Sequence, residues 1–146
     1  MEKSKEAVSC FAEGYNCAQA IFSTYSPDFG LDKVTALKIS SAYGGGMARM
    51  GETCGAVTGS MMIIGLKYGS ITADDKQAKE RNYELVREFI NKFTQCHGSM
   101  KCKELLDCDI SNPEGAKTAK EKQLFTTLCP KYVEDAAVIL EEVINK

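Results

Sequence analysis

The seven cysteines are the residues of this chain whose type is best suited to chemistry. An odd number of cysteines cannot pair completely within one chain. The first ten residues, MEKSKEAVSC, contain two lysines, two glutamates and no apolar segment, so we expect no signal peptide and a cytoplasmic protein. In a reducing cytosol, several cysteines indicate metal binding or redox chemistry more often than a disulfide framework, although any one of them can be a small buried apolar residue. The seven are Cys10, Cys17, Cys54, Cys96, Cys102, Cys108 and Cys129.

Four of these cysteines are predicted to lie in the first turn of four different helices. Each is at most three residues from a residue that caps or begins helices. The first turn of a helix presents unpaired N–H groups and the positive end of the helix dipole. Such a position can lower the pKa of a thiol from about 8.5 to roughly 3.5–7.5, which makes the thiolate available to attack disulfides or bind metals. The pairs are Asn16 with Cys17, Thr53 with Cys54, Ser99 with Cys102, and Cys129 with Pro130. Basic residues close in sequence to the four thiols can add to the effect: Arg49, Lys101, Lys103 and Lys131.

The predicted boundaries differ between the four positions. Cys17 and Cys54 directly follow their caps, and Cys102 is the third residue after Ser99. Cys129 is itself the predicted N-cap, because proline is favoured at the first helical position and Pro130 follows it.

The other three cysteines lie where nothing favours thiolate. Cys10 falls within the first predicted helix, Cys96 at the carboxyl end of the fifth, and Cys108 just beyond a helix end. We therefore expect Cys96 and Cys108 to be dispensable for the chemistry of the remaining thiols.

Glycines recur every fourth residue around Cys54, at Gly51, Gly55 and Gly59. On one helix this spacing predicts a stripe without side chains, which allows another backbone or a bulky ligand to approach closely. One interpretation is tight helix packing alone. The other is that close packing brings Cys54 within reach of a cysteine on another helix, with Gly55 and Gly59 as candidate cofactor-binding positions. The two interpretations are compatible.

The elements that must position these residues are predicted to be helices. Apolar residues recur at helical spacing along the chain, and no segment alternates apolar and polar residues long enough for a strand. We predict an all-α fold, a single-domain multi-helix bundle that spans residues 1–146. The longest helix is predicted at residues 72–96, with an inward stripe of Tyr83, Val86, Ile90 and Phe93. Residues 111–117, SNPEGAK, have the composition of a linker.

Composition excludes several classes of function. The net charge is −2, from 18 basic and 20 acidic residues, so the chain has no electrostatic footprint for nucleic acid. The longest apolar run, residues 56–66, is too short to cross a bilayer, and we expect no membrane insertion. The segment GMARMGET has the spacing of a phosphate-binding loop, but Glu52 stands where that loop requires lysine. Nucleotide binding by this route is therefore rejected.

The chain resembles the C_GCAxxG_C_C family of small bacterial and archaeal proteins, which are held to be redox-active on account of their cysteines. The pattern is a cysteine, a Cys-Gly-Ala-x-x-Gly motif and two further cysteines. GYNCAQAIF supplies Cys17, CGAVTG supplies Cys54, KCKELL supplies Cys102 and LCPKYVEDAA supplies Cys129. The resemblance covers nearly the whole chain and singles out the same four cysteines as the helix positions. It implies a redox role for them and names no substrate.

The residues leave three functions open. The first is thiol–disulfide chemistry by the four cysteines, with a small thiol, a disulfide or a redox protein as partner and with no cofactor required. No C-x-x-C motif occurs, so any pair must be assembled from different helices, and the pairing stays open among three arrangements. The second is a zinc or iron–sulfur module with the same four cysteines as ligands, although the usual close ligand pairs are absent. The third is a structural or small-ligand-binding helical protein, and a homo-oligomer is compatible with all three.

Overall fold

The computed structural model describes residues 2–145, and within that range the fold is all-α, without strands. This confirms the predicted fold class of an all-α single domain. Short 3-10 helices follow α2 and α3, at Ser26–Phe29 and Ser41–Tyr43. The α-helices are α1 Lys3–Ala12, α2 Cys17–Tyr25, α3 Lys33–Ser40, α4 Gly55–Tyr68, α5 Lys76–His97, α6 Cys102–Leu105, α7 Pro113–Glu121, α8 Leu124–Thr127 and α9 Cys129–Ile144.

Two apolar clusters make up the interior. The larger cluster lies between α1, α2, α4, α5 and α9 and includes the fully buried Ile21, Ile63, Phe89 and Leu140. Burying one such side chain contributes about 1.5–3 kcal/mol. The smaller cluster lies around α6, α7 and the start of α9 and contains two of the four cysteines predicted at helix amino ends. Cys17 packs against both clusters, so the amino end of α2 lies where they meet.

Helix α4 is at the centre of the fold and packs against α2, α5 and α9. It is apolar on most of its sides, as expected of a helix surrounded by other helices. It has 14 residues and contains the longest apolar run, and no helix of the described residues is long and apolar enough to cross a membrane.

The predicted inward stripe of α5 is correct except at its first residue. Phe93 is buried, and Val86 and Ile90 pack against the larger cluster, whereas Tyr83 is 46% exposed. Leu85 and Phe89, which the prediction left out, are buried as well. Tyr83 lies on the solvent side, where Lys79 Nζ sits 5.9 Å from the centre of its ring. The apolar face of α5 is broader than a single stripe. Which of its residues are most deeply buried depends on how α5 packs against α9 and α4, and not on the sequence of α5 alone.

The predicted linker at residues 111–117 is wrong, because most of it is helical. Helix α7 begins at Pro113, and the side chain of Asn112 caps it by accepting a hydrogen bond from the Gly115 N–H at 2.7 Å. Asparagine followed by proline is a helix-start signal as well as a turn signal. Here the helix-start signal prevails, because the residues after Asn112 form α7, whose Ala119 is buried in the smaller cluster.

Candidate functional site

The four cysteines predicted at helix amino ends line one cavity of about 570 Å³. They come from α2, α4, α6 and α9, which are far apart in the sequence. Cys54, Cys102 and Cys129 are buried, with 5%, 8% and 7% of their surface exposed, and Cys17 is partly buried. The fold therefore brings together the four candidate catalytic residues.

The predicted helix boundaries at three of these cysteines need correction by one or two residues. Cys54 is itself the N-cap of α4, and Thr53 lies before the helix. Cys102 is the first residue of α6, since the backbone of Lys101 rather than Ser99 begins that helix. Cys129 is the first helical residue of α9, because the turn of α8 runs directly into it and Leu128 precedes it in a helical conformation. Cys17 is the first residue of α2, as predicted.

Local hydrogen bonds fix the amino end of α2, and with it Cys17. The side chain of Asn16 accepts a hydrogen bond from the Gln19 N–H at 2.8 Å, and the Gln19 side chain accepts one from the Asn16 N–H at 3.0 Å. This reciprocal cap confirms the prediction for this helix start. The two side chains also donate to the carbonyls of Leu37 and Ser41, which ties the start of α2 to α3 and the turn after it.

The amino ends of α4 and α6 are held side by side by a short antiparallel pairing. Thr53 and Lys101 form an isolated β-bridge. The Cys54 N–H donates to the Met100 carbonyl at 2.8 Å, and the Cys102 N–H donates to the Glu52 carbonyl at 2.6 Å. Two cysteines that are 48 positions apart in the numbering thus begin neighbouring helices.

Glycines allow α2 and α4 to approach closely enough for Cys17 to reach Cys54. A Cβ atom at Gly55 would lie 2.7 Å from the Ala18 nitrogen and 3.1 Å from the Cys17 Cβ. At Gly59 it would lie 2.9 Å from the Ala18 carbonyl oxygen. Gly55 also lines the cavity, whereas Gly59 packs against α2 and is not part of the lining.

The third glycine of the predicted stripe, Gly51, does not belong to it. Gly51 lies before α4, and its φ of +73° is in the left-handed region. A Cβ there would contact Lys103 at 3.3 Å and Asp109 at 3.5 Å, on the side of α6. The bare surface on α4 therefore consists of Gly55 and Gly59.

The thiols of Cys17, Cys54 and Cys129 interact directly. Cys17 lies within hydrogen-bonding reach of both Cys54 and Cys129, and these contacts, together with burial, raise the pKa of Cys17 well above its usual range. The pKa of Cys54 is lowered, first by the hydrogen bond from Cys17 and then by the N–H groups of Ala56 and Val57, although burial acts against it. The Cys54 sulfur faces these amides without the geometry of a full side-chain cap. Of these two thiols, Cys54 is therefore the one that more readily loses its proton, with Cys17 as its hydrogen-bond donor.

Cys102 differs from Cys54 in spite of its similar place at the start of a helix. Burial, followed by repulsion from Cys54 and Cys129, raises the pKa of Cys102 to about 12. Helix α6 has only four residues, so it offers a much weaker dipole than the 14 residues of α4. At neutral pH Cys102 is a protonated thiol on the cavity wall.

Sequence reasoning missed the aromatic wall of the cavity. The ring of Tyr132 lines it, and the Tyr132 hydroxyl donates to the Leu105 carbonyl at 2.6 Å. Behind Tyr132, the centre of the His97 ring is 4.9 Å away, and His97 Nε2 lies 3.0 Å from Asp135 Oδ2. The signal for Tyr132 was its position three residues after Cys129, which places both side chains on the same face of α9.

A left-handed turn forms part of the cavity rim and was not foreseen either. The five consecutive residues 45–49 have φ angles between +53° and +73°. Two are glycines, but Met47, Ala48 and Arg49 carry side chains, for which this conformation costs about 1–2 kcal/mol per residue. Hydrogen bonds close the turn, among them one from the Arg49 N–H to the Gly44 carbonyl at 3.0 Å. The turn carries Ala48 and Arg49 onto the lining of the cavity.

The chain matches the family model described as "Putative redox-active protein (C_GCAxxG_C_C)" over residues 15–143. It belongs to the C_GCAxxG_C_C family. No curated protein and no solved structure gave a significant match. The family description supports a redox-active protein, and the predicted family membership is confirmed.

Members of the C_GCAxxG_C_C family are named for a set of cysteines around a small-residue motif, which this chain has in the order Cys-Gly-Ala at residues 54–56. The three cysteines that we placed outside this set also lie outside the cavity lining. Cys10 is a buried residue of α1. Its sulfur lies 3.8 Å from the Ser23 hydroxyl, and burial raises its pKa. Cys96 is exposed, and the Cys108 thiol donates to the Gly115 carbonyl at 3.1 Å.

The metal alternative for this C_GCAxxG_C_C protein depends on the same four sulfurs. Thiolates are the ligands that zinc and iron–sulfur clusters prefer. Within residues 2–145, no group of three or more His, Cys, Asp or Glu side chains is arranged so that it could hold a metal ion. Cys17 lies within hydrogen-bonding reach of Cys129 and Cys54, which raises the pKa of Cys17.

Proposed function

We propose that this protein carries out thiol–disulfide exchange, with Cys54 as the nucleophile and Cys17 as the resolving thiol. The observation that carries the proposal is that Cys17 and Cys54 line one cavity, where α2 and α4 approach so closely that a Cβ at Gly55 would lie 3.1 Å from the Cys17 Cβ. The lowered pKa of Cys54 agrees with it. A lowered pKa makes a cysteine nucleophilic near neutral pH, and a neighbouring protonated thiol is the group that resolves the product. The redox description of the family agrees with this class of chemistry.

The proposed reaction balances as two exchanges. The Cys54 thiolate attacks one sulfur of a disulfide RSSR, which forms a Cys54–SR mixed disulfide and releases RS⁻. The Cys17 thiol gives up its proton to RS⁻ and attacks the Cys54 sulfur, which releases a second RS⁻ and leaves a Cys17–Cys54 disulfide. Proton uptake from water completes the second RSH. Overall, two protein thiols are oxidised and one disulfide is reduced to two thiols.

Cys129 is the alternative resolving residue, because it also lies within hydrogen-bonding reach of Cys17. A Cys17–Cys54 disulfide can pass to Cys17–Cys129: the Cys129 thiol loses its proton to water, and the resulting thiolate attacks Cys17 and releases Cys54 as a thiolate. Cys102, with a pKa of about 12, takes no part in this scheme.

The test is to oxidise the anaerobically purified protein with a limiting amount of a small disulfide and to map the disulfides by mass spectrometry. We expect Cys17–Cys54 as the first link to form. The Cys96→Ser, Cys108→Ser double variant is the matched control, because it removes two thiols that do not line the cavity, and it should form the same link at the same rate. If Cys54 enters no intramolecular disulfide in the wild type, thiol–disulfide exchange at this site is disproved.

The second candidate is a metal or cluster site, because four sulfur donors line one cavity. Among the described residues no three of them are arranged to hold a metal ion, so the sulfurs would have to move closer together on binding. The four cysteines would be its ligands and would supply a soft, anionic donor set. Zinc and iron are measured in protein purified without air, and the visible spectrum is recorded before and after exposure to oxygen. Stoichiometric metal that is lost in a Cys17→Ala, Cys54→Ala variant would favour this candidate over thiol exchange.

A further inference from the structure

The cavity beside the four thiols has the size of a site for a small molecule. Its volume of about 570 Å³ lies within the range of roughly 300–1,000 Å³ that is typical of such sites. Apolar side chains form most of its wall, including Phe11, Leu105, Leu106, Ile110 and Phe125. Because Cys54 is only 5% exposed, a disulfide on the flat surface of a folded protein cannot reach it. The occupant must enter the cavity.

Arg49 is the only residue with a formally charged side chain in this lining, among the residues that the structure describes. It stands at the exposed rim, on the left-handed turn of residues 45–49. A Cβ atom at residue 45 would lie only 2.9 Å from both the Cα and the Cγ of Arg49. Because residue 45 is a glycine, the aliphatic part of the arginine side chain can pack against the turn. The strained turn thus sets the position of Arg49 at the entrance.

The guanidinium of Arg49 has no protein partner in the described part of the chain. Two nearby acidic residues are engaged elsewhere. Glu52 lies 3.9 Å from Lys103 Nζ, and Asp109 accepts hydrogen bonds from Ser111. A guanidinium is suited to bind a carboxylate through two parallel hydrogen bonds. An unpaired arginine at the mouth of an otherwise apolar cavity is therefore available to a carboxylate that comes with the ligand.

We propose that the substrate is a small disulfide that bears a carboxylate, which Arg49 binds while the disulfide sulfur enters the cavity toward Cys54. This inference rests on the proposed thiol–disulfide exchange and adds the chemical class of its substrate. The reaction is the exchange described above, in which RSSR is reduced to two RSH and Cys17–Cys54 is oxidised. Arg49 takes part by binding and orienting RSSR and neither gains nor loses a proton.

The experiment compares three small disulfides of similar length as oxidants of the reduced protein. Dithiodipropionate carries two carboxylates, dithiodiethanol is neutral, and cystamine carries two amines. Formation of the Cys17–Cys54 disulfide is followed by quenched-flow mass spectrometry. Each rate is divided by the rate at which the same compound oxidises a small free thiol, which removes intrinsic differences in reactivity. We expect the normalised rate to be highest for dithiodipropionate and lowest for cystamine.

The Arg49→Gln variant should lower the normalised rate for dithiodipropionate about fivefold, the size expected for an ion pair at an exposed site. In the same variant, the normalised rate for dithiodiethanol should stay within about twofold of the wild-type rate, because this neutral compound has no carboxylate for Arg49 to bind. Arg49→Lys should keep part of the preference, because the charge remains and the two-pronged geometry is lost. Arg87→Gln, which removes one positive charge from an exposed position on α5, is the matched control and should react like the wild type.

Two results would overturn the inference. One is equal normalised rates for dithiodipropionate and dithiodiethanol in the wild type. The other is an Arg49→Gln variant that loses the same factor with all three compounds, or no more than Arg87→Gln loses. In both cases the neutral disulfide would still oxidise Cys54, so thiol exchange would stand and only the substrate class would fail. If no compound forms the Cys17–Cys54 link, the proposed function itself fails, together with the inference.

Discussion

At the scale of single residues, the chemistry of the site depends on which thiols share protons. Cys54 is stabilised as thiolate by a neighbour that must remain protonated to donate its hydrogen bond, and Cys17, with its raised pKa, meets that requirement. The same contact that activates the nucleophile also places the resolving sulfur next to it. In the proposed exchange, activation and resolution are therefore two results of the same contact between Cys17 and Cys54.

Replacing Cys17 with alanine should raise the pKa of Cys54, because it removes the largest influence that lowers it. In the wild type, the Cys54 thiolate is present above its lowered pKa and is lost as the pH falls through that value. In Cys17→Ala this loss should occur at higher pH, closer to the ordinary thiol range of about 8.5. The measurement is the ultraviolet absorbance of the thiolate as a function of pH.

The control for this prediction is Cys17→Ser, whose hydroxyl can still donate a hydrogen bond to Cys54. It should titrate between the wild type and the alanine variant. If the alanine variant shows the wild-type titration curve, the Cys17 thiol does not lower the pKa of Cys54.

The sequence indicated which cysteines form the site, but not their protonation states. Caps and prolines are local signals, so they placed all four cysteines in the first turn of helices, and the fold brings all four to one cavity. The inference that each start favours thiolate fails for Cys102, where burial dominates, and for Cys17, whose pKa is raised by its contacts with Cys129 and Cys54 and by burial. Burial and neighbouring sulfurs depend on tertiary contacts between α4, α6 and α9, which no spacing in the sequence reveals.

At the scale of the elements, the contact between α2 and α4 decides whether the two reactive sulfurs can meet. Gly55 and Gly59 were predicted from their spacing to allow a close approach, and both face the backbone of Ala18. Gly51 has the same spacing but precedes the helix, because α4 begins only after Cys54. The spacing of the glycines does not show at which residue the helix begins.

A methyl group at Gly55 should separate these helices. The Gly55→Ala variant places a Cβ atom 2.7 Å from the Ala18 nitrogen, so α2 or α4 must shift, and we expect a loss of about 1–3 kcal/mol in the free energy of unfolding. Formation of the Cys17–Cys54 disulfide under mild oxidation should slow markedly at the same time. Chemical denaturation and disulfide mapping measure the two effects.

Gly65→Ala is the matched control, since it lies on the same helix and its added methyl group would meet nothing within 4 Å. Alanine is the better helix former by about 0.5–1 kcal/mol, so this variant should be as stable as the wild type or more so. Equal stability of the two variants would show that α2 and α4 are not closely packed at Gly55.

At the scale of the whole molecule, the site connects parts of the chain that are otherwise distant. Cys17 begins α2, Cys54 caps α4 and Cys129 begins α9, and these three helices also build the larger apolar cluster. A link between any two of the sulfurs therefore joins elements of the main core. The redox state of the site should for this reason affect the stability of the entire fold.

The oxidised protein should be more stable than the reduced protein. A Cys17–Cys54 disulfide would close a loop of a few dozen residues in the unfolded chain, which corresponds to about 3–4 kcal/mol in the chain-entropy description. Thermal unfolding of the reduced and oxidised wild type measures the difference, with Cys17→Ala as the control that should show none. Oxidation that leaves the wild type less stable would mean that the link distorts the packing of α2 on α4.

The left-handed turn at the cavity rim also bears on the order in which the chain folds. Its three residues with side chains are unfavourable by themselves, so the turn cannot start the formation of structure. It gains its contacts, such as those of Gly44 with Asn16 and of Gly46 with Cys102, only after α2 and α6 are in place. We expect the helices to pack first and the rim to close last. A chain that folds in an oxidising medium would then pair its thiols before the cavity exists to select the pair.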